Sequence, residues 1–129
     1  MRLALALMLL GSPALAEGAR QTYQCRATLS CDDRGACERS ASLVTFAFEP
    51  LLTGPDGSGD YRVLHDDVAA PATFSAPALE YLWSDGSGDA QRLMVVGQDD
   101  DGSARLVWHS LDLTRQRSTL LFLSCEVTL

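Results

Sequence analysis

Over residues 22–31 apolar and polar positions alternate: Tyr23, Cys25, Ala27, Leu29 and Cys31 are odd, Thr22, Gln24, Arg26, Thr28 and Ser30 even. A period of two places the two sets on opposite sides of an extended chain, so this segment predicts a strand with one buried and one wet face. Residues 32–35 supply turn chemistry, after which residues 37–48 resume as a strand. Its apolar face switches near Ser42, with Ala41 and Leu43 on one side and Val44, Phe46 and Phe48 on the other. A bulge or strong coiling accommodates such a switch. Further runs at 60–65, 72–76, 78–84, 91–97, 104–111 and 118–129 bring the candidate strands to eight. The connections at 54–59, 66–71, Pro77, 85–89, 99–103 and 112–117 are mostly short and rich in Asp, Gly, Ser and Pro. Short links favour neighbouring antiparallel strands, hence an all-β meander closing as a small up-and-down barrel, with a β-sandwich as the alternative. Closure is preferred because it removes exposed strand edges.

The amino terminus reads differently. Arg2 is followed by an uncharged apolar stretch over residues 3–10, and Ala14-Leu15-Ala16 forms a small-x-small cleavage site. Residues 1–16 are therefore expected to be a secretory signal peptide, and residues 17–129 a single all-β domain beginning at Glu17. No later run approaches the ~20 apolar residues needed to span a bilayer, and no cysteine stands at the cleavage site to carry a lipid. The expected location is periplasmic or extracellular, in soluble form.

All four cysteines lie in the exported part, where an even count in a short domain reads as a disulfide framework. Three connectivities are possible. Cys31 and Cys37 flank the first turn and would face each other across a hairpin, which leaves Cys25 on the first strand and Cys125 on the last. A Cys25–Cys125 bridge ties the chain ends together if strand one lies beside strand eight. The spacings are not C-x-x-C, so a redox pair is disfavoured.

Charge narrows the partners. Ten arginines and no lysine face 17 acidic residues, for a formal net charge of −7 that becomes −8 once Arg2 is removed. Nucleic acid and anionic membrane surfaces are disfavoured, and a basic protein or a cation is favoured. Asp56-Gly57-Ser58-Gly59-Asp60 recurs as Asp85-Gly86-Ser87-Gly88-Asp89, with a looser copy at Asp99, Asp100, Asp101, Gly102 and Ser103. Alternating aspartates can hold a hard cation, yet Tyr61 and Ala90 stand where a calcium-hand loop needs glycine. Turn chemistry is the better reading, so no metal and no cofactor are expected.

No nucleophile elbow, zinc motif or spaced cysteine-histidine set occurs, and His65 and His109 are the sole histidines. His109, Ser110 and Asp112 resemble a triad fragment, but adjacent strand residues point to opposite faces. His65 with Asp66 and Asp67 could meet a metal at a strand end, although a solvated loop suffices. The expectation is a protein without enzymatic activity. Trp83 and Trp108, with Tyr81, Phe46, Phe48 and Phe122, either fill the barrel or line a small cavity.

Two functions stay open. One is an exported interaction module binding a basic protein through acidic loops, with Asp85, Asp89, Asp99, Asp100 and Asp101 as candidate binding residues. Tyr23-Gln24-Cys25 near the mature start and the late Cys125 are similar to the layout of small exported β-barrel inhibitors of lysozyme. The serine-glycine loop such inhibitors use has no counterpart, since Ser58-Gly59 and Ser87-Gly88 run into Asp60 and Asp89. The other is a lipocalin-like carrier whose interior, lined by Trp83 and Trp108, would hold a small apolar ligand.

Overall fold

The computed structural model describes residues 19–86 and 88–129; the segment assigned as signal peptide, Glu17 and Ser87 lie outside the described residues. Nine strands follow in order: β1 (Gln21–Asp32), β2 (Cys37–Arg39), β3 (Leu43–Thr53), β4 (Gly59–His65), β5 (Val68–Ser75), β6 (Glu80–Ser84), β7 (Asp89–Gln98), β8 (Ala104–Asp112) and β9 (Arg117–Thr128). All pairings are antiparallel in the order β2-β1-β3-β4-β5-β6-β7-β8-β9, and β1 also pairs with β9. Eight strands thus close a barrel, with β2 as a short flap on β1. The closed alternative prevails over the sandwich.

The expected strand over residues 37–48 is interrupted where its apolar face switches. Between β2 and β3, Ser40 N donates to Thr28 O at 3.2 Å and Ala27 N to Ser42 O at 2.8 Å, so the break stays fastened to β1.

The single face expected for residues 22–31 holds only to Ala27. There the β1–β9 register shifts: Ala27 stands opposite Leu123, whereas Leu29 stands opposite Phe122, leaving Thr28 as the extra residue of a bulge. Its hydroxyl donates to Phe122 O at 3.2 Å. One added residue reverses the parity of all that follows. Leu29 and Cys31 therefore join Phe122 and Leu120 on the outer wall, and the Cys31–Cys37 disulfide staples the β1–β2 hairpin there. The Cys25–Cys125 disulfide lies before the bulge, buried in the core across the β1–β9 seam.

The connection expected over residues 66–71 is also shorter. Val68 to Pro71 pair with His65 to Arg62, leaving Asp66 and Asp67 as a tight turn. Proline lacks an N–H, so it suits a strand position with a neighbour on one side only. Pro71 lies just outside the β5–β6 pairing, and Pro50 just outside the β1–β3 pairing.

Inward residues fill the barrel. Tyr23, Cys25 and Ala27 meet Phe46 and Phe48, Tyr61 and Val63, Ala70 and Ala72, Tyr81 and Trp83, Leu93, Leu106, and Leu123 and Cys125 in one core. Phe48 and Tyr81 stack with centroids 3.7 Å apart, and Tyr23 and Tyr61 meet Tyr81 edge-on. The phenols are satisfied in place: Tyr23 and Tyr81 both donate to Gln21 Oε1, and Tyr61 to Gly57 O. Alternating strand directions put the turns after β1, β4, β6 and β8 at one end, the mouth. The turns after β3, β5 and β7 lie at the other end, the foot, with Thr22 and Thr128 paired beside them.

Candidate functional site

The two acidic loops that carry the candidate binding residues are at opposite ends. Asp99, Asp100 and Asp101 form the β7–β8 turn at the foot, while Asp85 and Asp89 flank the β6–β7 turn at the mouth. The foot turns are self-satisfied. In the β7–β8 turn Asp99 N donates to Ser103 O and Gly102 N to Asp99 O; in the β3–β4 turn Gly54 N donates to Ser58 O and Gly57 N to Gly54 O. In each, an aspartate, Asp101 or Asp56, accepts from both the amide and the hydroxyl of the serine two residues on. Those bonds from Ser103 hold the Asp101 carboxyl below its ordinary range. The repeat is a turn motif built twice. Asp99 is further engaged by Arg105 at 3.3 Å.

At the mouth the alternation of β6, β7 and β8 continues past the last core layer. Trp83 is paired with Gln91, and Gln91 with Ser110. Two residues farther out on the same side come Asp85, Asp89 and Asp112, so three carboxylates occupy inward positions at the rim. Asp89 and Asp112 stand directly opposite each other. Like charges so placed are destabilising, and Asp112 is in part offset by its own turn, accepting from the amides of Thr114 and Arg115.

Beneath this rim is a cleft of about 260 Å³. His65, Trp83 and Trp108 wall it, Gln91 lies in its depth, and Asp66 and Asp85 stand at its lip. The expected residues Trp83, Trp108 and Asp85 are thus brought together, while Asp89 lies at the rim. His65 stacks on Phe46 at 4.8 Å and meets Trp108 edge-on at 5.0 Å. Its Nε2 lies 3.3 Å from Asp66 Oδ2. Trp108 Nε1 donates to Gln91 Oε1 at 2.8 Å, which fixes both side chains. Gln91 is 7% exposed, the sole buried polar residue among the described residues. Among these too, no group of three or more His, Cys, Asp or Glu is arranged for a metal.

Gln91, Asp66 and Asp112 were not singled out as binding residues from sequence. The signal for Gln91 was its parity with Leu93 and Val95, visible once the β6–β7 hairpin register is known. His109 stands between Arg92 and Leu120 on the outer wall, on the opposite face from Ser110.

Two wider grooves differ in character. One of about 500 Å³ on the outer wall is lined by Arg26, Leu43, Asp101 and Glu126, with both charge signs and no aromatic ring. The other, about 380 Å³, lies between the β1–β2 and β8–β9 turns and gathers Arg34, Arg115 and Arg117 beside Asp32 and Asp33. The mouth therefore has an acidic half over β4 to β7 and an arginine-bearing half over the β1–β2 and β8–β9 turns.

These features define a class: a disulfide-braced, eight-stranded β-barrel with a filled interior and an acidic, aromatic-walled mouth. Compared with protein-family models, with characterised proteins and with solved structures, the chain matches none.

Proposed function

We propose that the protein is an exported, non-enzymatic binding module that docks a basic protein on the acidic half of its barrel mouth. The carrying observation is the rim: Asp66 and Asp85 line one aromatic-walled cleft, and beside it Asp89 is held face to face with Asp112 at a cost in stability. Structural disulfides fit an oxidising compartment, and a rigid scaffold limits the entropy lost on binding. The inward aromatics packed into one core favour the surface reading over the carrier.

Lysozyme, a basic exported-compartment enzyme suggested by the Tyr23-Gln24-Cys25 and Cys125 layout, serves as the first probe. Association should slow as salt rises from about 0.01 to 0.15 M, because the Debye length falls from ~30 to ~8 Å. Asp85→Asn with Asp89→Asn should slow it further and flatten the salt dependence, whereas Asp100→Asn with Asp101→Asn at the foot should do neither. Association that depends on the foot residues and ignores the mouth would overturn the proposal.

A further inference from the structure

We infer that the Cys31–Cys37 disulfide is a site of thiol–disulfide exchange, opened by a dithiol while the barrel stays folded, and that its opening frees β2 from the wall.

The two bridges have opposite surroundings. Cys25 and Cys125 are 4% and 1% exposed, with their side chains in the core, so the folded barrel shields their sulfurs. Cys31 is 7% exposed, but Cys37 is exposed like the rest of β2. Both line a groove of about 350 Å³ with Ser30, Asp32, Glu38 and Thr119, room for a thiol-bearing side chain. Access decides which disulfide of a folded protein meets a thiolate. The thiolate of a dithiol attacks Sγ of Cys37, the more exposed residue. A mixed disulfide forms there, the bond to Cys31 breaks, and Cys31 leaves as a thiolate that takes up a proton. The second thiol of the reagent, deprotonated, then attacks the reagent's own sulfur in the mixed disulfide and releases Cys37. The dithiol is oxidised to its disulfide, and two electrons and two protons reduce the bridge to two thiols.

What the bridge fastens gives the exchange its consequence. β2 has three residues, pairs with β1 alone among the described strands and adds nothing to the main core. A ladder that short is not stable by itself, so the bridge decides whether β2 stays in place. β3 pairs with β1 only from Gln21 to Arg26, which leaves β2 to cover the same edge of β1 farther along, at Leu29 to Cys31. Asp32 N donates to Ala36 O at 2.9 Å, and Thr28 O accepts from Ser40 N at 3.2 Å. Release of β2 bares these groups, and an uncovered edge is a template for another strand. Reduction therefore exposes a pairing edge that oxidation hides.

The oxidised protein is incubated with dithiothreitol without denaturant, free thiols are blocked with iodoacetamide, and the labelled residues are mapped by mass spectrometry. Cys31 and Cys37 should be labelled more than about tenfold faster than Cys25 and Cys125, with the near-ultraviolet circular dichroism unchanged during that first phase. In the singly reduced protein the amides of Asp32 and Ser40 should lose protection from hydrogen exchange. The amide of Val95, bonded to Leu79 O inside the barrel, should keep it. Cys31→Ser with Cys37→Ser opens the bridge without reagent and should show the same loss, with no early labelling. Labelling of all four cysteines together, or only in denaturant, would overturn the exchange site. Asp32 and Ser40 amides that stay protected in both the reduced protein and the double variant would overturn the release of β2.

Discussion

Asp89 and Asp112 place like charges opposite each other at the open end of the β7–β8 ladder. Repulsion there is relieved by Asp89→Asn, which should raise unfolding stability by roughly 0.5 kcal/mol. The same variant should slow association with a basic partner. A urea midpoint and an association rate measured together check this, and a variant that is weaker in both would separate the rim from function. Glycines illustrate how local geometry decides the effect of one methyl group. A Cβ at Gly59, where φ is +143°, would stand 2.2 Å from Leu52 O and 2.9 Å from Thr53 Cα, both backbone atoms. Gly59→Ala should therefore destabilise by at least about 2 kcal/mol. At Gly97 the nearest atoms belong to the Arg105 guanidinium, the movable end of an exposed side chain. Gly97→Ala should shift the thermal midpoint far less than Gly59→Ala.

At the level of strands, the two bridges constrain very different loops. Cys25 and Cys125 are 100 residues apart, Cys31 and Cys37 only six. In the chain-entropy model these contribute about 4.7 and about 2 kcal/mol. Replacing the first pair with alanine should consequently lower the denaturant midpoint by about twice as much as replacing the second. Equal losses would assign the stabilisation to local packing rather than to the unfolded chain. Strand order and both pairings were legible in the sequence because alternation and turn residues are local signals. The bulge at Thr28 was not: Leu29 and Cys31 continue an apolar period that looks unbroken, and only the partner strand reveals the slipped register. Val68 to Pro71 read as a loop because alanines and a proline carry little strand signal, although β4 pairs with all four. The cleft was legible in pieces. Trp83, Trp108 and Asp85 stood out singly, whereas their convergence with His65 and Gln91 depends on closure of the barrel.

For the whole molecule, buried phenols set an alkaline limit. Burial is the main cause that raises the Tyr81 and Tyr23 pKa values above the ordinary value of 10.0; charge on neighbouring tyrosines adds to it. The unfolded chain releases these protons first, so their stabilisation is complete below pH ~10 and is lost progressively above it. With two such groups, stability should fall by up to about 2.7 kcal/mol per pH unit in that range. Phenolate absorbance should then rise together with the loss of near-ultraviolet circular dichroism, whereas phenolates appearing in the folded barrel would contradict it. The pairing of Thr22 with Thr128 at the foot has a practical and biological consequence. Whatever holds this domain by either end of its chain, whether a resin, a fused protein or a cell surface, stands it upright with the mouth facing away from the support. One mode of attachment thus suffices to array many copies with their clefts open to the surrounding fluid.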